Sequence, residues 1–411
     1  MRDMTYLKDM PIAILGSGAV GKTLAADCKL GGSRDVRLYG SPEFAETSIK
    51  GLDKSGILLD GVQRNRDNFE RSGKAQLDVI STDIGQVVKG AGIICISTIS
   101  WRHEALFAKL IPHLEDGQVV MIFTDNFGTL LLRKMMREAG CEKDVIIGGW
   151  ASAPYGTRVE QVNGHMFPHV GVKYRAITLR GAALPDKDTE AFLEASRYLP
   201  AMDCVTEGDG PARGDTVMDI NFANVNPVIH VPASVLGVST MENWGISFGG
   251  YDKTTYSMYC HALCPSICEV QVQFYNEEIA LAEALGVGIP RYKKEMFFSR
   301  RSILTQEYMG LDAEGNDNVV FPLEEPSDEG NTGPDSIHHR YITEDIPVGC
   351  KIYHDLGVAY GVPTPIIDAM IVIGGAFHQK DFLAESRYSL AYLGIDDMDK
   401  ASLNEYLRFG D

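Results

Sequence analysis

"PIAILGSGAVGK", residues 11–22, is a short apolar run followed by a glycine-rich turn. Gly16, Gly18 and Gly21 have the G-x-G-x-x-G spacing, and the turn lies between a predicted strand and a predicted helix. The first glycine permits a tight turn, the second lets a phosphate approach the backbone, and the third lets the helix pack on its strand. The motif predicts a dinucleotide-binding α/β domain in which Gly16, Gly18, Ala19, Val20 and Gly21 contact the diphosphate. The alternative is a glycine-rich turn that binds no ligand.

The first half of the chain continues with alternating strand and helix patterns. Further apolar runs, rich in Ile and Val, occur at 35–40, 92–98, 118–125 and 144–150, with helical patterns at 20–31, 103–114 and 127–140 between them. Such alternation indicates a doubly wound parallel sheet with helices on both faces. Residues 164–185 are predicted to add more strands.

From about residue 215 the pattern becomes helical. In 266–286, Ile267, Phe274 and Leu281 fall on one stripe of a predicted helix, with Glu277 and Glu278 off it. Two later helices are predicted on either side of "GVPTP" (361–365). We therefore expect an α/β domain over 1–207 and an all-α domain over 208–411. The acidic stretch 321–337 is predicted to be a long loop, of a length typical of lids and of disordered segments.

Composition excludes several classes of partner. The chain has 411 residues and a net charge of −18, which argues against nucleic acid or an anionic membrane surface as the main partner. No apolar run reaches the ~20 residues needed to span a bilayer, and no secretory leader precedes the first strand. The eight cysteines are dispersed, which is typical of reduced thiols in the cytoplasm. Cys260, Cys264 and Cys268 are four apart, but a structural role is favoured over a metal site, and no metal is predicted.

The end of the second predicted strand bears on cofactor choice. An acidic residue there would hold the ribose 2′-hydroxyl of NAD. The segment reads "VRLYGSPEF" (36–44), so Tyr39 and Ser41 occupy the place and no acid appears before Glu43. This favours NADP, with Arg37 and Ser41 as candidate contacts of the 2′-phosphate, and leaves NAD as the alternative.

Two polar features in the second half are candidates for chemistry. His230 lies in the apolar run "FANVNPVIHVPASVLG" (222–237), a setting that makes a charged imidazole costly but suits a histidine that passes protons. "HHRYITEDIPVG" (338–349) brings Arg340 and Asp345 together. Arginine suits a substrate carboxylate, and an acid behind a histidine stabilises its charged form. The alternatives are a buried structural histidine and a structural ion pair between Arg340 and Asp345.

These residues carry a resemblance to a known family. The glycine motif, the segment around His230, and above all "RYITEDIPVG" followed by "GVAYGVPTPIID" (357–368) resemble the octopine/nopaline-type opine dehydrogenases along nearly the whole chain. The resemblance implies a Rossmann domain followed by an all-α opine dehydrogenase domain. It implies reductive condensation of an amino acid with a 2-keto acid through an imine, using NADP or NAD.

The resemblance also implies roles for individual residues. His230 matches the catalytic histidine, Asp345 its carboxylate partner, Arg340 the arginine for the substrate carboxylate, and Asn126 a polar residue near the substrate. One departure is that the family reads His-Pro, whereas Val231 here precedes Pro232. Two alternatives remain: a two-domain dehydrogenase of hydroxy acids or polyol phosphates, and a non-catalytic dinucleotide sensor. The oligomeric state is open, with a homodimer among the alternatives.

Overall fold

The computed structural model describes residues 2–61, 71–162, 164–246, 252–298, 302–303 and 332–410. Most of the acidic stretch 321–337 lies outside these residues. The chain divides into two compact units. The first comprises the described residues up to Asn221 together with those from Glu405, and the second comprises the described residues from Phe222 to Asn404. The domain boundary at 207/208 stays a prediction.

The strands all belong to the first unit. In chain order they are β1 Ile12–Leu15, β2 Val36–Tyr39, β3 Ile57–Gly61, β4 Gly73–Ala75, β5 Val79–Ser81, β6 Ile93–Ile96, β7 Val119–Phe123, β8 Ile146–Trp150, β9 Tyr155–Val162, β10 His165–Arg175, β11 Thr178–Ala183 and β12 Gly210–Arg213. The main sheet has the order β12-β11-β8-β7-β6-β1-β2-β5. Its strands pair in parallel except at β8–β11, which confirms the predicted doubly wound sheet.

Burial explains why these runs form central strands. Every residue of β1, β6, β7 and β8 is buried, as expected for a parallel sheet covered on both faces. The predicted strands at 164–185 are confirmed, but they separate: β11 joins the main sheet, whereas β10 joins a second sheet of order β4-β3-β10-β9. The sequence did not predict β3 and β4, because they are short and alternate buried with exposed residues.

The helices of the first unit cover the main sheet and connect its strands. They are α1 Ala19–Leu30, α2 Ala45–Ser48, α3 Leu52–Ser55, α4 Ile84–Val88, α5 His103–Leu110, α6 Gly128–Glu138, α7 Thr189–Ala195 and α8 Asp203–Thr206. Helix α1 follows the glycine turn directly, and its side chains from Gly21 to Cys28 are buried. The apolar face of α1 therefore fixes the turn against the sheet.

The second unit is helical, as predicted. The remaining helices, which lie in the second unit except for most of α9 and the second half of α18, are α9 Val217–Phe222, α10 Val225–Leu236, α11 Val238–Asn243, α12 Pro265–Leu285, α13 Arg340–Thr343, α14 Lys351–Tyr360, α15 Pro365–Phe377, α16 Phe382–Glu385, α17 Leu390–Leu393 and α18 Lys400–Phe409. Two π-helical segments, Met258–Ala262 and Asp345–Cys350, interrupt the regular helices. The break between α14 and α15 confirms the prediction from "GVPTP".

Helix α12 departs from its predicted exposure. Glu278 was placed off the buried stripe, but it is fully buried, because this helix is covered on more than one side. All eight cysteines are described and are free thiols. Within the described ranges, no helix combines the length and apolarity needed to cross a membrane.

Candidate active site

Each glycine of the turn between β1 and α1 meets a different steric requirement. Gly16 has φ +130°, and a Cβ there would lie 2.7 Å from Ser97 Oγ. A Cβ on Gly21 would lie 1.8 Å from the carbonyl oxygen of Gly16, so only glycine lets α1 pack on the turn. A Cβ on Gly18 would meet nothing within 4 Å, which leaves space for a ligand next to the backbone. The turn therefore fits the diphosphate of a dinucleotide.

Two further residues predicted to contact the diphosphate begin α1. Ala19 and Val20 are its first two residues, and both are partly exposed. The N-terminus of a helix attracts anions, because its first N–H groups have no partner within the helix. The predicted contacts are thus grouped at one place in the first unit.

The end of β2 holds a charged pair that the sequence did not reveal. Ser41 Oγ donates to Glu43 Oε2 at 3.3 Å, and Arg102 Nη1 donates to the same oxygen at 3.2 Å. The Arg102 guanidinium lies 4.1 Å from the ring centre of Phe44 and 4.5 Å from that of Trp101. Arg102 follows β6, 59 residues from Glu43 along the chain, so neighbouring residues give no signal for it.

The other residues predicted at this end are placed differently. Tyr39, the last residue of β2, is buried. Arg37 is engaged elsewhere: its Nε and Nη2 donate to Asp35 at 2.9 and 2.6 Å, and its Nη1 donates to the carbonyl of Lys89 at 2.7 Å. Arg102, rather than Arg37, is therefore the arginine grouped with Ser41.

Asn126 lies in the turn between β7 and α6. Asn126 and Phe127 have φ values of 45° and 63°, which are left-handed and costly for residues other than glycine. Asn221 holds the turn, accepting from the Phe127 N–H at 2.7 Å and donating to Asp125 Oδ2 at 2.7 Å. Asn126 Nδ2 donates to Ser100 Oγ at 2.8 Å. Asp125 is fully buried, and burial raises its pKa to about 6.

In the second unit, His230 and Asp345 form a buried pair. Nδ1 of His230, on α10, lies 2.9 Å from Oδ2 of Asp345, the first residue of the π-helical segment. The two residues are 115 positions apart and only 5% and 7% exposed. A carboxylate at Nδ1 fixes the orientation of the ring and stabilises its charged form. Nε2 is the ring nitrogen that does not face Asp345.

Two neighbours modify this pair. Tyr341 lies over the imidazole, with ring centres 3.5 Å apart and planes 15° apart, and the face of an aromatic ring stabilises a cation. Burial raises the pKa of Asp345 to about 7, although the positive charge of Arg340 opposes the shift. His230 and Asp345 are therefore a coupled pair, in which the protonation of one group affects that of the other.

The helix that carries His230 is held from outside. Pro232 lies within α10 and has no N–H to donate to the turn before it. The fully buried Gln271, on α12, donates from Nε2 to the carbonyl oxygen of Ile229 at 3.1 Å. The chain is helical through Val231 and Pro232.

Arg340 is the first residue of α13 and its side chain is 54% exposed. Its Nη1 lies 3.9 Å from Oε2 of Glu344, at the long limit of an ion pair. Asp345 instead contacts His230, so the alternative of an Arg340–Asp345 ion pair is not the arrangement found. An exposed guanidinium five residues before Asp345 along the chain is suited to bind a carboxylate.

Cys260, Cys264 and Cys268 lie at the π-helical segment and the start of α12. Cys260 and Cys268 are buried, and Cys264 is exposed. In the part of the chain that the structure describes, no group of three or more His, Cys, Asp or Glu side chains could hold a metal ion.

Comparison with known proteins relates this arrangement to characterised enzymes. Residues 213–378 match the model of the NAD/NADP octopine/nopaline dehydrogenase alpha-helical domain. The chain is 25% identical over 397 residues to an opine dehydrogenase of Arthrobacter sp. (strain 1C), covering 95% of this chain and 97% of the relative.

Solved structures show the same fold at low identity. Octopine dehydrogenase with NADH and pyruvate has a TM-score of 0.65 at 16% identity, covering 96% of this chain and 98% of the other. Yersinopine dehydrogenase with NADP+ has a TM-score of 0.63 at 14% identity, covering 98% and 99%. The chain is therefore similar to opine dehydrogenases over nearly its whole length, and its residues 213–378 match the alpha-helical domain of the octopine/nopaline dehydrogenases.

Proposed function

We propose that this protein is an NAD(P)H-dependent opine dehydrogenase that condenses an amino acid reductively with a 2-keto acid. The observation that carries the proposal is the buried contact of 2.9 Å between His230 and Asp345, in a domain that matches the family. The reaction consumes one amine, one keto acid, one reduced dinucleotide and one proton. It releases one water molecule and one oxidised dinucleotide, and yields a secondary amine with two carboxylates.

The glycine turn would hold the dinucleotide, through Gly16, Gly18, Ala19, Val20 and Gly21. When bound, the reduced nicotinamide supplies the hydride that reduces the imine carbon. His230 donates a proton from Nε2 to the hydroxyl that leaves as water when the imine forms, and accepts one there in the oxidative direction. Asp345 stabilises the charged imidazole and fixes its orientation.

Two side chains would orient the substrates. Arg340 binds a carboxylate through its planar fork, and its exposure leaves the guanidinium accessible. Asn126, held in a strained turn by Asn221 and Asp125, offers an amide to a polar substrate group. Strained backbone that neighbouring contacts hold in place is often found at functional sites, which supports this role.

For the cofactor we propose a preference for NADPH, with Arg102 and Ser41 contacting the 2′-phosphate. The Arg102 side chain is partly exposed, and its only acidic partner in the described ion pairs is Glu43, itself 65% exposed. A surface ion pair of this kind contributes little, so a phosphate can take the place of Glu43. Without the phosphate, Glu43 could instead accept from the ribose hydroxyls of NADH.

Binding titrations test this preference. Arg102→Gln should weaken NADPH by about tenfold, or ~1.4 kcal/mol, and leave NADH nearly unchanged. Glu43→Gln should weaken NADH more than NADPH. Arg37→Gln is the matched control, because Arg37 is paired with Asp35, and it should change neither. Equal effects of Arg102→Gln on both dinucleotides would refute the assignment.

The overall function is tested by oxidation of NADPH and NADH against a matrix of amino acids and 2-keto acids, with pyruvate among them. Turnover that requires both an amine and a keto acid is expected. Turnover with a keto acid alone would instead favour a hydroxy-acid dehydrogenase. Tight dinucleotide binding without turnover across the matrix would favour a non-catalytic sensor.

A further inference from the structure

A lysine is buried directly behind the glycine turn. Lys22, on α1, is 0% exposed, and its Nζ donates to the carbonyl oxygen of Ser17 at 2.9 Å. Among the described ion pairs, none joins Lys22 to a carboxylate. Lysine is almost never fully buried without a partner of opposite charge, and a buried unpaired charge destabilises the folded protein. Packing alone therefore does not explain a lysine at this position.

The geometry of the turn relates this charge to the proposed dinucleotide site. Ser17 lies between Gly16 and Gly18, the two glycines nearest the expected diphosphate. Its carbonyl accepts from Lys22 and its hydroxyl donates to Ser48 Oγ at 2.8 Å in a buried contact. Both oxygens of Ser17 are thus engaged, and the ammonium lies within hydrogen-bond distance of the turn's own backbone.

We propose that the Lys22 ammonium is the counter-charge for the diphosphate of the bound dinucleotide, acting from inside the protein through the turn. This rests on the proposed dinucleotide binding and adds a residue that the glycine motif does not include. A positive charge in a poorly solvated position attracts a nearby anion more strongly than one in water. Lys22 would thus act together with the N-terminus of α1.

Proton uptake is a consequence that can be measured. Burial alone lowers the pKa of Lys22 to about 8, so the free protein loses this charge as the pH rises through that value. A bound diphosphate favours the charged form and raises the pKa. The gain in affinity is then fully present below about pH 8 and is lost as the pH rises through the pKa of the complex.

Other titratable groups near α1 must be separated from this effect. The elements packed against α1 are β1, β2, β3, β4, β9, β10 and the turn Pro200–Met202. Together with α1 they carry these titratable side chains: Asp27, Cys28, Lys29, Arg37, Tyr39, Asp60, Lys74, Tyr155, Arg158, Glu160, His165, His169, Lys173, Tyr174 and Arg175.

The pKa values of two buried side chains of this set, one cysteine and one tyrosine, lie away from pH 8. Asp27 is paired with Arg175 at 2.6 Å, and burial raises the pKa of both Cys28 and Tyr155 well above its usual range. On the surface, the pKa of His169 is raised by hydrogen bonds to two carboxylates. His169→Gln therefore serves as a control for proton uptake.

The experiment is calorimetric titration with ADP-ribose and with adenosine between about pH 6.5 and 9.5. Lys22→Met should weaken ADP-ribose by at least about tenfold, leave adenosine unchanged, and abolish the loss of affinity above pH 8. Lys29→Met is the matched control on the same helix, where the lysine is paired with Asp78 at 2.7 Å, and it should behave as wild type.

Several outcomes would overturn the inference. A folded Lys22→Met protein that binds ADP-ribose normally refutes it, and equal losses for ADP-ribose and adenosine would mean that Lys22 only holds the turn. If Lys22→Met does not fold, the test uses the wild-type protein and His169→Gln. Titrations of both near pH 8.5, in two buffers of different ionisation enthalpy, must show that binding takes up a proton. Wild type that binds no dinucleotide contradicts the proposed function itself, which distinguishes the two failures.

Discussion

Asp345→Asn is the sharpest test of the proposed catalytic pair, because it removes one charge and almost no volume. His230 and Asp345 are in contact at 2.9 Å and are both buried. Two unit charges about 4 Å apart interact by about 4 kcal/mol at an effective dielectric constant of about 20. Desolvation of the carboxylate offsets part of this. We therefore expect the variant to lose about 3 kcal/mol of stabilisation of the charged imidazole.

That loss corresponds to a fall of roughly 10²-fold in kcat, at about 1.4 kcal/mol per factor of ten. The pH limb of the reductive reaction should also move to lower pH, because the imidazolium has lost its counter-charge. The affinity for NADPH should be unchanged, since the glycine turn belongs to the first unit. Steady-state kinetics across pH and a binding titration measure all three.

The assay includes a second histidine–aspartate pair as its control. His354 Nδ1 lies 2.8 Å from Asp368 Oδ1 in the same helical unit, and Asp368→Asn should leave kcat nearly unchanged. His230→Ala should lower kcat by the ~10²–10⁴ typical of lost acid–base catalysis. The double variant should be scarcely worse than the less active single variant. Additive losses, an unmoved pH limb, or an equal effect in the control would refute the reasoning.

Three other predictions follow from the remaining geometry. Arg340→Lys should raise the KM for the carboxylate substrate about tenfold without changing NADPH affinity. Arg291→Lys, at an exposed ion pair, is the control. An unchanged KM in Arg340→Lys would mean that Arg340 does not bind the substrate. Gly18→Ala should weaken NADPH at unchanged Tm, whereas Gly21→Ala should lower Tm because its Cβ would lie 1.8 Å from a carbonyl oxygen; equal Tm losses would contradict this. Burial raises the pKa of Asp125 from 3.8 to about 6, so the protonated acid contributes stability that is present below about pH 4 and lost as the pH rises through 6. Between about pH 4 and 7, the Tm of the wild type should therefore fall relative to the Tm of Asp125→Asn. If the two curves of Tm against pH are parallel, the prediction is wrong.

The sheet was predictable because burial leaves a local pattern. The fully apolar runs of β1, β6, β7 and β8 are the pattern that a sheet buried on both faces requires. The second sheet was not predictable, since β3 and β4 are short and partly exposed. Glu278 shows a second limit: a buried carboxyl breaks the periodicity by which a core position is recognised.

The residues of the candidate site likewise include some that the sequence indicates and some that it does not. The glycine turn is recognisable because its three glycines fall within six consecutive residues, at the spacing that the motif requires. Arg102 was missed because its grouping with Ser41 and Glu43 depends on the packing of two loops. His230 and Asp345 were paired only through the family resemblance, since nothing in either segment alone indicates the other.

Lys22 and His230 show how a buried charge is kept in a folded protein. His230 has a permanent partner, Asp345, which a second segment of the same unit supplies, so its charged form needs no ligand. Lys22 is as deeply buried, but its contact is with the neutral carbonyl of Ser17. This carbonyl accepts one hydrogen bond from the ammonium and does not neutralise its charge. A neutral partner leaves part of the desolvation cost uncompensated, and an anion at the adjoining turn would compensate it. The histidine pair is therefore suited to hold a proton through catalysis, whereas the lysine is suited to gain its charge fully only when the dinucleotide is bound.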